Sequence, residues 1–181
     1  MPPPSDSGFG LTADNAFLAD LDLVELACSS RAQNAYGRPV LTEAVGVERE
    51  LVDEIEANLF DGEVIALMPG ADAFAAVEMP SQTDSTRGGV ILLHGRGFHA
   101  DWPENIGPLR VGLSEAGWYT LSLQMPVLEK SAKYYDYIPI LPEALPRIDA
   151  ALTHLKAESI SPVVLLAHSC GAHMAMLWMG K

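Results

Sequence analysis

The segment Val163-Val164-Leu165-Leu166-Ala167-His168-Ser169-Cys170-Gly171-Ala172-His173-Met174-Ala175 decides how the chain is read. An apolar run of strand length passes through small-x-Ser-x-Gly and straight into a helical pattern. A serine at such a junction must sit in a tight, strained turn, and the small residues Ala167 and Gly171 let strand and helix backbones pass closely. That spacing suits a nucleophile elbow, with Ser169 as the candidate nucleophile.

A second element lies 75 residues upstream, Gly89-Val90-Ile91-Leu92-Leu93-His94-Gly95-Arg96-Gly97, a buried strand ending in His-Gly-x-Gly. Acyl transfer needs two backbone N–H donors aimed at the developing oxyanion, one after the serine and one from the loop following an earlier strand. Cys170 and Arg96 are the expected donors. His94, Gly95, Gly97 and Gly171 are expected to shape the site, His94 by bracing the oxyanion loop.

Working outward, short apolar runs separated by turns and helical stretches describe an α/β domain. The expected strands are 64–68, 74–78, 90–94, 119–123 and 163–167, and the expected helices are 106–116, 141–157 and one from Cys170 onward. Pro69-Gly70-Ala71-Asp72 makes the first two strands an antiparallel hairpin. Strands 90–94 and 163–167 are continuous apolar runs, as in parallel strands buried on both faces. A hairpin followed by βαβαβα is a partial doubly wound sheet.

The chain has 181 residues, 49% of them hydrophobic, enough for one domain with its own core. Residues 1–14 read as a mobile tail, 15–60 as an acidic helical region and 61–181 as the α/β domain. In the helical region Phe17, Leu18, Leu21, Val24 and Cys28 form one apolar face, and Val47, Leu51, Val52, Ile55 and Leu59 another. The second run ends at Asp61-Gly62.

The formal net charge is -13, and residues 1–88 hold 16 of the 24 acids against 4 of the 11 bases. Such a field repels nucleic acid and anionic lipid. No stretch approaches a membrane span, and the N-terminus lacks the basic and apolar segments of a secretory signal. Acids around Leu26-Ala27-Cys28 argue against a lipoprotein signal there. A cytoplasmic location with reduced Cys28 and Cys170 is expected.

The region from about Gly88 to Met179 resembles the front half of an α/β-hydrolase catalytic domain. More narrowly, His94-Gly95-Arg96-Gly97-Phe98-His99-Ala100-Asp101-Trp102-Pro103 and Trp118-Tyr119-Thr120-Leu121-Ser122-Leu123-Gln124-Met125-Pro126 are similar to a bacterial family of α/β-hydrolase relatives of unknown function. The resemblance reaches back to about Glu48 and leaves residues 1–47 outside. It implies a serine hydrolase fold with Ser169 at the nucleophile position and says little about substrate. Hydrolysis of a small ester-type substrate through a Ser169 acyl-enzyme, without a cofactor, is the activity expected of the intact protein.

The sequence departs from that pattern after the elbow. In α/β hydrolases the triad runs Ser, acid, His, with both partners on later strands. Only ten residues follow Gly171. The chain is therefore expected to be the front part of a longer domain, inactive by itself for want of acid and imidazole, with an unpaired sheet edge that invites self-association. The alternative is a complete but non-catalytic binding or interaction module that keeps the sheet.

Other residues offer weaker readings. His168 should point away across the turn, His173 should pack beside the sheet, and His99 with Asp101 could form a dyad with Ser169. Gly95-x-Gly97-x-x-Ala100 matches a dinucleotide fingerprint, but Pro103 breaks the helix that should follow and Gln124 stands where an acid should hold the ribose. Scattered histidines show no metal-ligand spacing, so no metal is expected. Met174, Met176, Met179 and Trp178 read as a helix core face. Tyr134, Tyr135 and Tyr137, on the segment after strand 119–123, either line an acyl or alcohol pocket or pack a loop against the sheet.

Overall fold

The computed structural model describes residues 40–70 and 72–181, with side chains from residue 46 onward. The tail at 1–14, the apolar face from Phe17 to Cys28 and the Cys28 thiol lie outside them. In chain order the elements are helix α1 (Val40–Asn58), strands β1 (Glu63–Leu67), β2 (Phe74–Met79) and β3 (Gly89–Leu93), and helix α2 (Ile106–Glu115). Strand β4 (Tyr119–Leu123), a 3-10 helix (Tyr134–Glu143), helix α3 (Ala144–Ala157), strand β5 (Val163–Ala167) and helix α4 (Cys170–Met179) follow.

The strands form one mixed sheet in the order β1-β2-β4-β3-β5. β1 and β2 make the antiparallel hairpin, with Leu67 opposite Phe74, and β2 continues antiparallel onto β4. β3 runs parallel to β4 on one side and to β5 on the other. Its five residues are all buried, which explains why the run is apolar without alternation. Alternate side chains still face different layers. Ile91 and Leu93 join Leu121, Leu123, Ile148, Leu155 and Met174 beneath α3 and α4, whereas Val90 and Leu92 pack with Ile106, Trp102 and Leu113 around α2. Burying such side chains contributes about 1.5–3 kcal/mol each.

α1 joins the layer through Ile55, which packs with Val77 and Ala100. A Glu48–Arg147 ion pair of 2.9 Å ties it to α3. The helix stops at Asn58, and the chain turns through Gly62 at φ +88°. That left-handed backbone suits glycine, so the expected stop at Asp61-Gly62 is the turn just past the helix.

Two expectations are corrected. Helix α3 starts at Ala144 rather than 141, because residues 134–143 wind as a 3-10 helix containing Pro139 and Pro142. Two residues without an N–H spoil an α-helical ladder but fit a short 3-10 segment. β5, expected to be covered on both faces, is an edge strand whose Val164 is 43% exposed. Among the described residues no helix is long and apolar enough to cross a membrane.

Candidate functional site

Ser169 sits between β5 and α4 with φ 53° and ψ −118°, a positive φ that non-glycine residues rarely hold. The strand enters the turn with the His168 N–H donating to Leu93 O at 3.0 Å, and the helix starts with Gly171 N–H donating to His168 O. The glycine at 171 is sterically required. A Cβ there would lie 2.5 Å from His94 O and 2.8 Å from Leu93 O, so the helix can approach β3 only without a side chain at that point.

The loop after β3 meets the elbow at Gly95. A Cβ on Gly95 would come within 2.9 Å of His168 Nδ1 and 3.3 Å of Ser169 Cβ. His94 is fully buried and neutral. Its Nε2 accepts from Met125 N–H at 2.9 Å, so Nδ1 carries the proton and donates to Gly95 O at 2.8 Å. Desolvation lowers its pKa to about 3. The loop is held at further points: the Gln124 side-chain oxygen accepts from Ala100 N–H, Ser122 Oγ donates to Ala100 O, and Tyr137 OH accepts from Gly97 N–H at 3.0 Å.

These bonds leave a particular pair of amides. The N–H groups of Gly97, Phe98, Gly171 and Ala172 are all taken, while those of Arg96 and Cys170 have no acceptor among the described residues. The Arg96 guanidinium is exposed and donates to Ala132 O at 2.6 Å. The Cys170 thiol is buried, and burial raises its pKa to about 11 against a smaller lowering by Arg96.

The chain's five histidines are all placed. His94 is the brace. His99 is buried and accepts the Asp101 N–H through Nδ1; it lines a cavity with α1 and α2, of which Ser169 is not a part. His154 pairs with Glu78 at 2.8 Å. His173 stacks on Tyr134 and bonds its hydroxyl. His168 does not point away across the turn as expected; its ring turns back over Gly95 and stacks on Phe98.

The three tyrosines separate. Tyr134 and Tyr135 are exposed, and Tyr134 reaches α4 through His173. Tyr137 is 1% exposed, with its hydroxyl held by the Gly97 and Leu128 N–H groups and by Leu128 O. It supports the loop from within instead of forming a wall. The sequence reading also missed Gln124, Ser122 and the Asp101–Arg110 pair. Their one signal was polarity inside or beside apolar strands. Of the methionines on α4, Met174 is core, while Met176 and Met179 are exposed, so that face is only partly buried. Among the described residues no three His, Cys, Asp or Glu side chains converge as metal ligands.

A hairpin leading into parallel strands, with a strained serine at a strand-to-helix turn and a glycine-bearing loop beside it, defines the α/β-hydrolase fold. Within it, the chain belongs to the family described as protein of unknown function (DUF3530), which matches residues 24–137. No curated protein matches. Among solved structures the chain is similar to an α/β serine hydrolase without lid from Xanthomonas campestris, at 14% identity and TM-score 0.50 over 68% of this chain and 58% of that one. It is also similar to a dienelactone hydrolase-like promiscuous phosphotriesterase from metagenomic libraries, at 16% identity and TM-score 0.50 over 65% and 52%. A monoglyceride lipase from Saccharomyces cerevisiae matches at 20% identity and TM-score 0.49, over 68% of this chain and 42% of that one. The chain thus spans about half the length of the structures it matches, and at these identities the likeness is one of fold.

Proposed function

We propose that the fold serves hydrolysis of a small ester-type substrate through an acyl group carried on Ser169. The observation that supports this most is the coincidence of the strained Ser169 with two amides that lack acceptors among the described residues, that of Cys170 beside it and that of Arg96 on the loop that meets the elbow. In this reading Ser169 Oγ attacks the carbonyl carbon, its proton passes to a base, and the oxyanion takes hydrogen bonds from the two N–H groups. The alcohol leaves, and water releases the acid by the same route. Each oxyanion donor is worth about 3 kcal/mol in the barrier.

In this reading the base comes from outside the described residues: His94, His154 and His173 are bonded to other groups, His99 faces a cavity that does not include Ser169, and the His168 ring stacks on Phe98. An unassisted serine loses roughly four to six orders of magnitude in rate. The 181-residue chain should therefore turn over p-nitrophenyl acetate no faster than its Ser169→Ala variant. In the native protein as it occurs in the cell, a fluorophosphonate probe should label Ser169, as read by peptide mapping. Label on Cys170 overturns the assignment. Where the base is supplied, Arg96→Ala keeps its N–H and should keep its rate, while Arg96→Pro should lose two to three powers of ten.

The same placement of the histidines favours a second reading, a non-catalytic binding module that retains the sheet. It predicts that the native, folded protein leaves Ser169 unlabelled.

A further inference from the structure

A cavity of about 450 Å³ opens between the C-terminal end of α1, the loop 99–103 and α2. Its floor carries two donor side chains, His99 and Arg110, together with the Asp101 carboxylate. His99 is 4% exposed, and because its Nδ1 accepts from Asp101 N–H, the neutral ring carries its proton on Nε2. Nε2 has no partner among the described residues, and the imidazole lines the cavity. Arg110, 2% exposed, sends Nε and Nη2 to Asp101 Oδ1 at 3.1 and 2.7 Å but gives Nη1 only the Met79 sulfur at 3.3 Å. Sulfur is a weak acceptor, and the guanidinium retains N–H groups beyond these three. The rim is of opposite character, with the exposed carboxylates of Glu54 and Asp61, and Ile55 and Val111 supply apolar wall.

We propose that this cavity binds a small zwitterion, an aliphatic amino acid, with its carboxylate on His99 and Arg110 and its ammonium toward Glu54 and Asp61. Since Asp101 already balances Arg110, a simple anion would meet two uncompensated carboxylates at the entrance, and a simple amine would leave the buried donors unfilled. A molecule carrying both groups satisfies floor and rim together. The volume falls within the range of small-molecule sites. This inference is independent of any chemistry at Ser169.

The test is an NMR or calorimetric titration of the full chain with L-leucine, with 4-methylpentanoate, which lacks the ammonium, and with isoamylamine, which lacks the carboxylate. Leucine should saturate with a dissociation constant of about a millimolar or tighter, and each analogue should bind at least about tenfold more weakly. Glu54→Gln with Asp61→Asn changes only exposed side chains. It should weaken leucine about tenfold while leaving 4-methylpentanoate no weaker. Absence of leucine binding at about 50 mM overturns the proposal. So does either analogue binding as well as leucine, or the double variant retaining wild-type affinity.

Discussion

The two halves of the candidate site are built in opposite ways. The loop after β3 is buried and over-determined, with His94, Gln124, Ser122 and Tyr137 each holding a backbone atom of residues 95–100. The elbow serine is exposed and strained, and its strand has a single hydrogen-bonded neighbour among the described residues. In the proposed reaction, amides that wait for an oxyanion gain from immobility, since donors fixed in advance need no reorganisation at the moment of reaction. A hydroxyl that must reach a substrate needs access and tolerates strain, provided the surrounding backbone enforces it.

Variants test this contrast, and the largest effect should come where the two halves touch. Gly171→Ala places a Cβ 2.5 Å from His94 O, and urea unfolding should show a loss of about 4 kcal/mol or no folded protein at all. A near-neutral result would mean that helix and loop are not wedged together. Acid comes next. The folded pKa of His94, about 3, lies below its unfolded value of about 6.5, so the unfolded chain takes up the proton first. The stability from this group is complete above pH 6.5 and is lost as pH falls toward 3. Unfolding curves across that range should steepen with acid in the wild type and flatten in His94→Gln.

Tyr137→Phe removes the acceptor of two buried N–H groups and should cost about 3 kcal/mol by chemical denaturation. Ser169→Gly should go the other way. Relief of a positive φ worth 1–3 kcal/mol outweighs the added freedom of glycine in the unfolded chain, leaving a gain of about 1 kcal/mol. A lower melting temperature for this variant would show that the turn is not strained. The smallest change in stability belongs to the open edge. Val164→Lys should alter unfolding by no more than about 0.5 kcal/mol, yet shift the chain toward monomer in size-exclusion chromatography. A wild-type chain that is already monomeric at all concentrations would remove the edge as an association site.

The architecture was legible because its signals are local and periodic. Apolar runs bounded by turns located all five strands to within a residue at each end, and a serine between small residues at a strand-to-helix junction marked the turn where Ser169 holds its positive φ. What stayed hidden depends on distant partners. Nothing near Tyr137 in sequence says that its hydroxyl meets the Gly97 amide forty residues away. The run 130–139 reads as a loop because prolines mask the 3-10 helix. β5 carries the same apolar composition as β3, but burial depends on which strand stands beside it, and that is a property of sheet order.

The residue after the serine has a consequence for the protein's redox behaviour. Cys170 shares the turn with Ser169, and in an electropositive, exposed turn its sulfur would be the better nucleophile. Burial and a pKa raised to about 11 instead hold it as the thiol at physiological pH. Peroxide, disulfides and alkylating agents react with thiolates, so they should pass this sulfur by. The turn can thus remain chemically unchanged under oxidants that would quickly silence a cysteine-based site.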